Sequence, residues 1–162
     1  MPAPSFAQLH AEGLATILDE AGIATYDFRG SSPYTTETEW PIYIGKVLPA
    51  TPHRIINLSP GIQSFRRADV MTSVQIRLRG LPNDGDNTVD DEVASKHQEI
   101  LDFLYPWGEP KTHFQMGEIR IGAVFPGDTL PIEADGQRRS GVLQNFRFRA
   151  RRVSRYSSPS GE

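Results

Sequence analysis

Ala134-Asp135-Gly136-Gln137-Arg138-Arg139-Ser140-Gly141-Val142-Leu143-Gln144-Asn145-Phe146-Arg147-Phe148-Arg149-Ala150-Arg151-Arg152 carries the pattern that decides the fold. Asp135-Gly136 signals a turn, because Asp bonds nearby backbone and Gly accepts positive φ. The residues that follow alternate with period 2, as the side chains of a strand do. Val142, Phe146, Phe148 and Ala150 fall on one face; Asn145, Arg147, Arg149 and Arg151 fall on the other. One face must be buried, and the other presents a row of guanidinium groups.

Residues 69–81 follow the same rule, with Val74, Ile76 and Leu78 alternating with Gln75, Arg77 and Arg79. Two segments have helical periodicity instead. In 5–21, Ser5 and Gln8 fit a capping box, Phe6, Leu9, Leu14, Ile17, Leu18 and Ala21 form a stripe, and Gly22 supplies the stop. Thr88 caps a second helix with Asp90, Asp91 and Glu92 in its first turn, where the dipole favours them. Its stripe is Val89, Val93, His97, Ile100, Leu101 and Leu104, and Pro106 and Gly108 end it. Further strands are expected over 23–28, 40–47, 54–58, 112–125 and 142–153. Loops are expected over 29–39, 48–53, 59–68, 82–87 and 126–141. Helix stripes need a sheet to cover, so the expected fold is α+β: a mainly antiparallel sheet with both helices on one face and long loops. It forms one domain over 1–155, followed by a polar tail over 156–162.

Composition narrows the function. The hydrophobic fraction is 38%, with Gly 14 and Pro 13, which points to a loop-rich domain that completes its burial against copies of itself or a partner. The net charge of -3 argues against a uniformly basic nucleic-acid binder. The charge is uneven, acidic over 84–102 and arginine-rich beyond Gly136, which suits complementary patches. Cys 0 excludes disulfides, thiolate catalysis and cysteine-ligated zinc. No apolar run has the length of a signal peptide or a membrane span, so a soluble compartment and no membrane partner are expected.

The arginine row of Arg77, Arg79, Arg147, Arg149 and Arg151 admits two readings. It is a solvated face of an antiparallel sheet, or a surface for a neighbouring subunit's carboxylates or for DNA in a lumen. The acidic segment Asp84, Asp86, Asp90, Asp91 and Glu92 offers the complementary patch. Its loop superficially matches a calcium site but lacks the Gly and Glu at the required offsets, so a solvated loop leading into a capped helix is the simpler account. His10, His53, His97 and His113 are scattered, and none forms a metal-ligand pair. No phosphate loop, dinucleotide fingerprint or nucleophile elbow is present, so an enzyme has no residues to carry it. Phe65, Arg66, Arg67, Arg138 and Arg139 are expected on partner-facing loops. Trp40, Trp107 and Tyr105 read as core anchors at element ends or as interface anchors.

With these residues in place the chain resembles the tail terminator (minor capsid, tail-completion) proteins of long-tailed bacteriophages and related prophages. The matching parts are Val74-Gln75-Ile76-Arg77-Leu78-Arg79-Gly80, and Asp135-Gly136-Gln137-Arg138 followed by Asn145-Phe146. The likeness runs roughly from Phe6 to Arg152, with 31–39 and 48–68 outside it. The resemblance implies a virion structural protein, not an enzyme, without a cofactor. It implies a homohexameric ring that stops the tail tube at its head-proximal end, meets the head–tail connector and passes DNA non-specifically through its lumen. The alternatives are a head-closure or adaptor protein, or a small soluble ligand-binding or enzymatic α+β domain, which a polar pocket near His97 or His113 would favour.

Overall fold

The structure, a computed structural model, describes residues 5–27, 34, 38–50, 52–66, 69–83, 87–107 and 111–151. Its elements run α1 (Phe6–Glu20), β1 (Ile42–Ile44), β2 (Ile55–Arg66), β3 (Asp69–Arg79), α2 (Asn87–Leu104), β4 (Thr112–Met116), β5 (Ile119–Ile132) and β6 (Gly141–Arg151). One six-stranded sheet has the order β1-β2-β3-β6-β5-β4. Every pairing is antiparallel except β1 with β2. This is the expected α+β fold.

The alternation decides which face is covered. β6 aligns with β3 so that Phe148 faces Thr72, Phe146 faces Val74 and Val142 faces Leu78. Phe146, Phe148, Val74, Ile76 and Leu78 are buried beneath Leu14 and Leu18 of α1 and Ile100 and Leu104 of α2, all in one cluster. Both helices therefore lie on the same face. Each such fully buried side chain contributes about 2 kcal/mol by removing apolar surface from water.

α1 starts where Ser5 accepts a hydrogen bond from the Gln8 N–H (3.1 Å). Gln8 gives its own side-chain amide to Glu12, so only half of a capping box forms. Gly22 takes φ +74 just past the helix, the left-handed stop the sequence requires. α1 also packs against the β4–β5 turn: a Cβ on Gly13 would collide with the Met116 carbonyl, and one on Gly117 would lie 2.8 Å from the Gly13 Cα.

Six local expectations are corrected. Residues 23–27 form no strand, only a bridge from Thr25 to Pro41. The 40–47 strand shrinks to Ile42–Ile44. The turn-rich segment after Leu58 instead continues β2 through Pro60 and Gly61, with a register shift between Pro60 and Gln63. The expected 112–125 strand is a hairpin, β4 and β5, and β5 runs on to Ile132 through what was expected to be loop, with an irregularity between Pro126 and Thr129. Thr88 lies inside α2, which already begins at Asn87. Asp84, Asp86, Arg67 and the tail 156–162 lie outside the described residues.

Candidate interaction surface

The face opposite the helices is set by register. β3 contributes Asp69, Met71, Ser73, Gln75, Arg77 and Arg79, and β6 sets Arg151, Arg149, Arg147, Asn145 and Leu143 directly across from the first five. β5 extends the face, with Ala123 beside Arg149, Phe125 beside Arg147 and Leu130 beside Leu143. Arg147, Arg149 and Arg151 are exposed, as are Phe125 (38%) and Leu130 (53%). A hollow of about 530 Å³ opens on this face between Ser64, Met71 and Ser73 on one side and Arg147 and Arg149 on the other.

The predicted arginine row divides in two. Arg147, Arg149 and Arg151 face outward as expected. Arg79 does not: it is buried, and its guanidinium donates to the carbonyls of His53 (3.1 Å), Ala50 (3.3 Å) and Pro52 (2.8 Å). Arg77 is half-buried and donates to the Lys46 carbonyl (3.1 Å). The reason is topological. β1 and β2 are parallel neighbours, so the connection 45–54 must cross the sheet, and it lies over this end of the face. Arg79 satisfies carbonyls of this connection that would otherwise be buried without donors, and Arg77 adds a bond to the exposed Lys46 carbonyl. Arg79 is thus taken up within its own chain, and Arg77 is partly so.

Arg139, expected on a partner-facing loop, is also buried. It pairs with Asp135 (2.8 Å) and donates to the Ala50 carbonyl (2.7 Å), which it shares with Arg79. Asp135 Oδ1 also accepts the N–H groups of Gln137 (2.9 Å) and Arg139 (3.0 Å). This explains the Asp-Gly turn signal: the carboxylate organises the loop before β6. The Arg139 side chain, then the backbone N–H groups, hold the Asp135 carboxyl down at about 2. Burial, then the Arg139 charge, lowers the pKa of Arg79. Arg138 sits in the same turn with φ +59, its carbonyl accepting from the Asn83 N–H (3.0 Å).

Glu92 of the acidic segment pairs with Arg54 of its own chain (2.7 Å), which takes it away from the arginine row. Asp91 is exposed, and Asp90 lies in the first turn of α2. Phe65 and Arg66 end β2 rather than lying in a loop, and Phe65 is 55% exposed. Trp40 is buried as a core anchor, whereas Trp107 is 95% exposed. Trp107 rims a hollow of about 570 Å³ with Tyr105, Leu101 and Pro126.

His97 is buried and its Nε2 lies 2.6 Å from the Gln144 Oε1. The Gln144 amide nitrogen donates to the Gly127 carbonyl (2.7 Å), so its oxygen faces His97 and Nε2 carries the proton. His113 is exposed on β4. Among the described residues, no three His, Asp or Glu side chains converge as metal ligands, and no helix is long and apolar enough to cross a membrane. Neither a protein-family model nor a curated protein matches the chain.

Proposed function

We propose that this chain is a structural part of a virion: a tail terminator that caps the head-proximal end of a phage tail tube, stops its polymerisation and joins it to the head connector. The observation that carries the reading is the sheet face left to solvent opposite the helices, where Arg147, Arg149 and Arg151 run along β6 with exposed Phe125 beside Arg147 and exposed Leu130 farther along, beside Leu143. A face that mixes arginine with large apolar side chains has the composition of an interface. The two segments that carry the family resemblance also support the reading. The first lies in β3 and the second runs from the turn before β6 into β6, with Gln75 of β3 directly opposite Asn145 of β6.

In this reading subunits join head to tail. Such a contact uses two different surfaces of each copy and makes a ring when the rotation closes. The six-fold order comes from the resemblance. The ring passes DNA through its lumen, performs no catalysis and needs no cofactor. Light scattering on the purified chain, alone and with purified tail-tube protein, tests the proposal. A ring of about six copies, or a monomer that becomes a ring on tube ends and halts their growth, supports it. A persistent monomer that neither binds tubes nor stops them refutes it.

A further inference from the structure

We infer that the exposed row Arg147, Arg149 and Arg151 binds the phosphodiester backbone of duplex DNA, one guanidinium to each successive phosphate of one strand. The inference deepens the proposed function and rests on it where DNA passes the subunit. Its geometry comes from β6 alone. Residues two apart on a strand point the same way and stand about 6.7 Å apart. Phosphates on one strand of a duplex rise about 3.4 Å each along the axis and, with the helical turn added, lie about 7 Å apart. Three arginines in alternate positions of a central strand therefore match three phosphates in sequence. β6 is held by β3 on one side and β5 on the other, so its spacing is fixed.

The surroundings favour the same ligand. Among the side chains that register places on this face of β3 and β6, Asp69 is the one carboxylate; it stands opposite Arg151 at the end of the row and also lines the hollow with Arg147 and Arg149. Ser73 and Met71 stand opposite Arg147 and Arg149, and Ser73 and Ser64 bring hydroxyl groups to the hollow beside them. Hydroxyl and guanidinium groups are the usual donors to phosphate oxygens. An acidic protein neighbour fits less well. Of the chain's own acidic segment, Glu92 is held by Arg54. A single strand also fits less well, because its phosphates have no fixed spacing and Phe125 alone beside Arg147 does not make a run of stacking aromatics.

The test is fluorescence anisotropy of the purified chain with a labelled duplex of mixed sequence, titrated between 50 and 200 mM salt. Three phosphate contacts predict a slope of about −2.7 in log K against log salt, so affinity falls roughly 40-fold over that range. Arg147→Gln with Arg149→Gln leaves one contact: the slope drops to about −0.9 and the loss to about 4-fold. Lys46→Gln, at an exposed lysine on the connection 45–54, leaves both unchanged. An unchanged melting profile shows that the double variant is folded.

The inference is overturned if the chain binds no duplex at 50 mM salt, or if the double variant keeps the parent slope. Tighter binding to polyglutamate overturns it in favour of an acidic protein face, and tighter binding to a single strand overturns the choice of duplex. Light scattering on the same samples separates the two proposals. A ring that ignores DNA refutes the inference alone. DNA binding by a chain that never assembles refutes the terminator reading alone.

Discussion

His10 is the most costly side chain in the core. It is fully buried on α1 between Phe6 (4.9 Å between ring centroids) and Phe148 (6.0 Å), and neither ring nitrogen has a hydrogen-bond partner among the described residues. Burial holds its pKa at about 4, below the ordinary 6.5. The unfolded chain therefore binds the proton more readily, and stability falls as pH drops from 6.5 toward 4. The loss at pH 5 should be about 2 kcal/mol relative to pH 8. Urea unfolding at pH 8 and pH 5 should show it, and His10→Leu should abolish most of the difference while raising stability at pH 8 by about 1 kcal/mol. A parent chain with equal midpoints at both pH values would contradict this. The position was legible, since Phe6, His10 and Leu14 are four apart and share a helix face, but the sequence stripe was drawn through apolar residues only and passed over it. Gly13, three residues on, could not be understood from sequence at all. Alanine there should improve helix propensity by about 1 kcal/mol. Because the Met116 carbonyl occupies the space of the missing Cβ, Gly13→Ala should instead destabilise by about 2 kcal/mol, measured as a lower midpoint of thermal unfolding.

The strands show where sequence reading succeeds and where topology overrides it. The expected bounds of β3 and β6 lie within two residues of those in the structure, because both are central strands with one buried face and keep strict alternation. The expected strands stop at Leu58 in β2, two residues before Pro60, and at Phe125 in β5, just before Pro126. A proline has no N–H to give to a ladder, which makes it a break in a central strand but not where its nitrogen faces the outer side of an edge or sits at a bulge. Both of these prolines lie at register irregularities, beyond the stretch where β1 or β4 pairs. The arginines of β3 misled for a related reason. Alternation placed Arg77 and Arg79 correctly on the face opposite the helices. No local signal revealed that the 45–54 connection would cover them, since that follows from the parallel pairing of β1 with β2. The Arg79, Arg139 and Asp135 cluster is thus a staple between this connection and the turn before β6. Arg139→Ala should remove the hydrogen bond to the Ala50 carbonyl, leaving that carbonyl to Arg79 alone, and take the guanidinium partner from Asp135, costing about 2 kcal/mol. Asp135→Asn should cost less and should erase the acid-limb stability change between pH 3.8 and about 2, since a carboxyl of lowered pKa stabilises the fold above that window and ceases to below it. Chemical denaturation of both variants against pH checks the pair. An Arg139→Ala chain as stable as its parent would mean that the connection is held elsewhere.

The pattern of edges governs how whole molecules can meet. β1 pairs only Ile56 to Leu58 of β2, and β4 pairs only Ile119 to Ala123 of β5. Each short strand thus caps only one end of a sheet edge, and the two capped ends lie at opposite ends of the sheet. Among the described residues no strand lies outside 59–64 of β2 or 124–132 of β5. Such stretches are templates for pairing with any other exposed strand. Each carries proline and a register irregularity, Pro60 in β2 and both Pro126 and Pro131 in β5, which remove donors and bend the edge away from a partner. In the proposed ring a subunit needs this protection, because strand addition on an open edge has no fixed stoichiometry, whereas side-chain contacts through a shaped face have one. Pro126→Thr with Pro131→Thr restores two donors to the longer unpaired stretch. Removing prolines at compatible positions lowers stability only by about 0.4–1 kcal/mol each, through the unfolded chain, so the variant should still fold. Its assembly should change. Light scattering should turn from one defined mass to a broad, growing distribution, with thioflavin fluorescence rising in parallel. If the variant keeps the parent's defined mass after prolonged incubation at high concentration, the prolines do not guard this edge, and the selectivity of assembly must come from the arginine and apolar face alone.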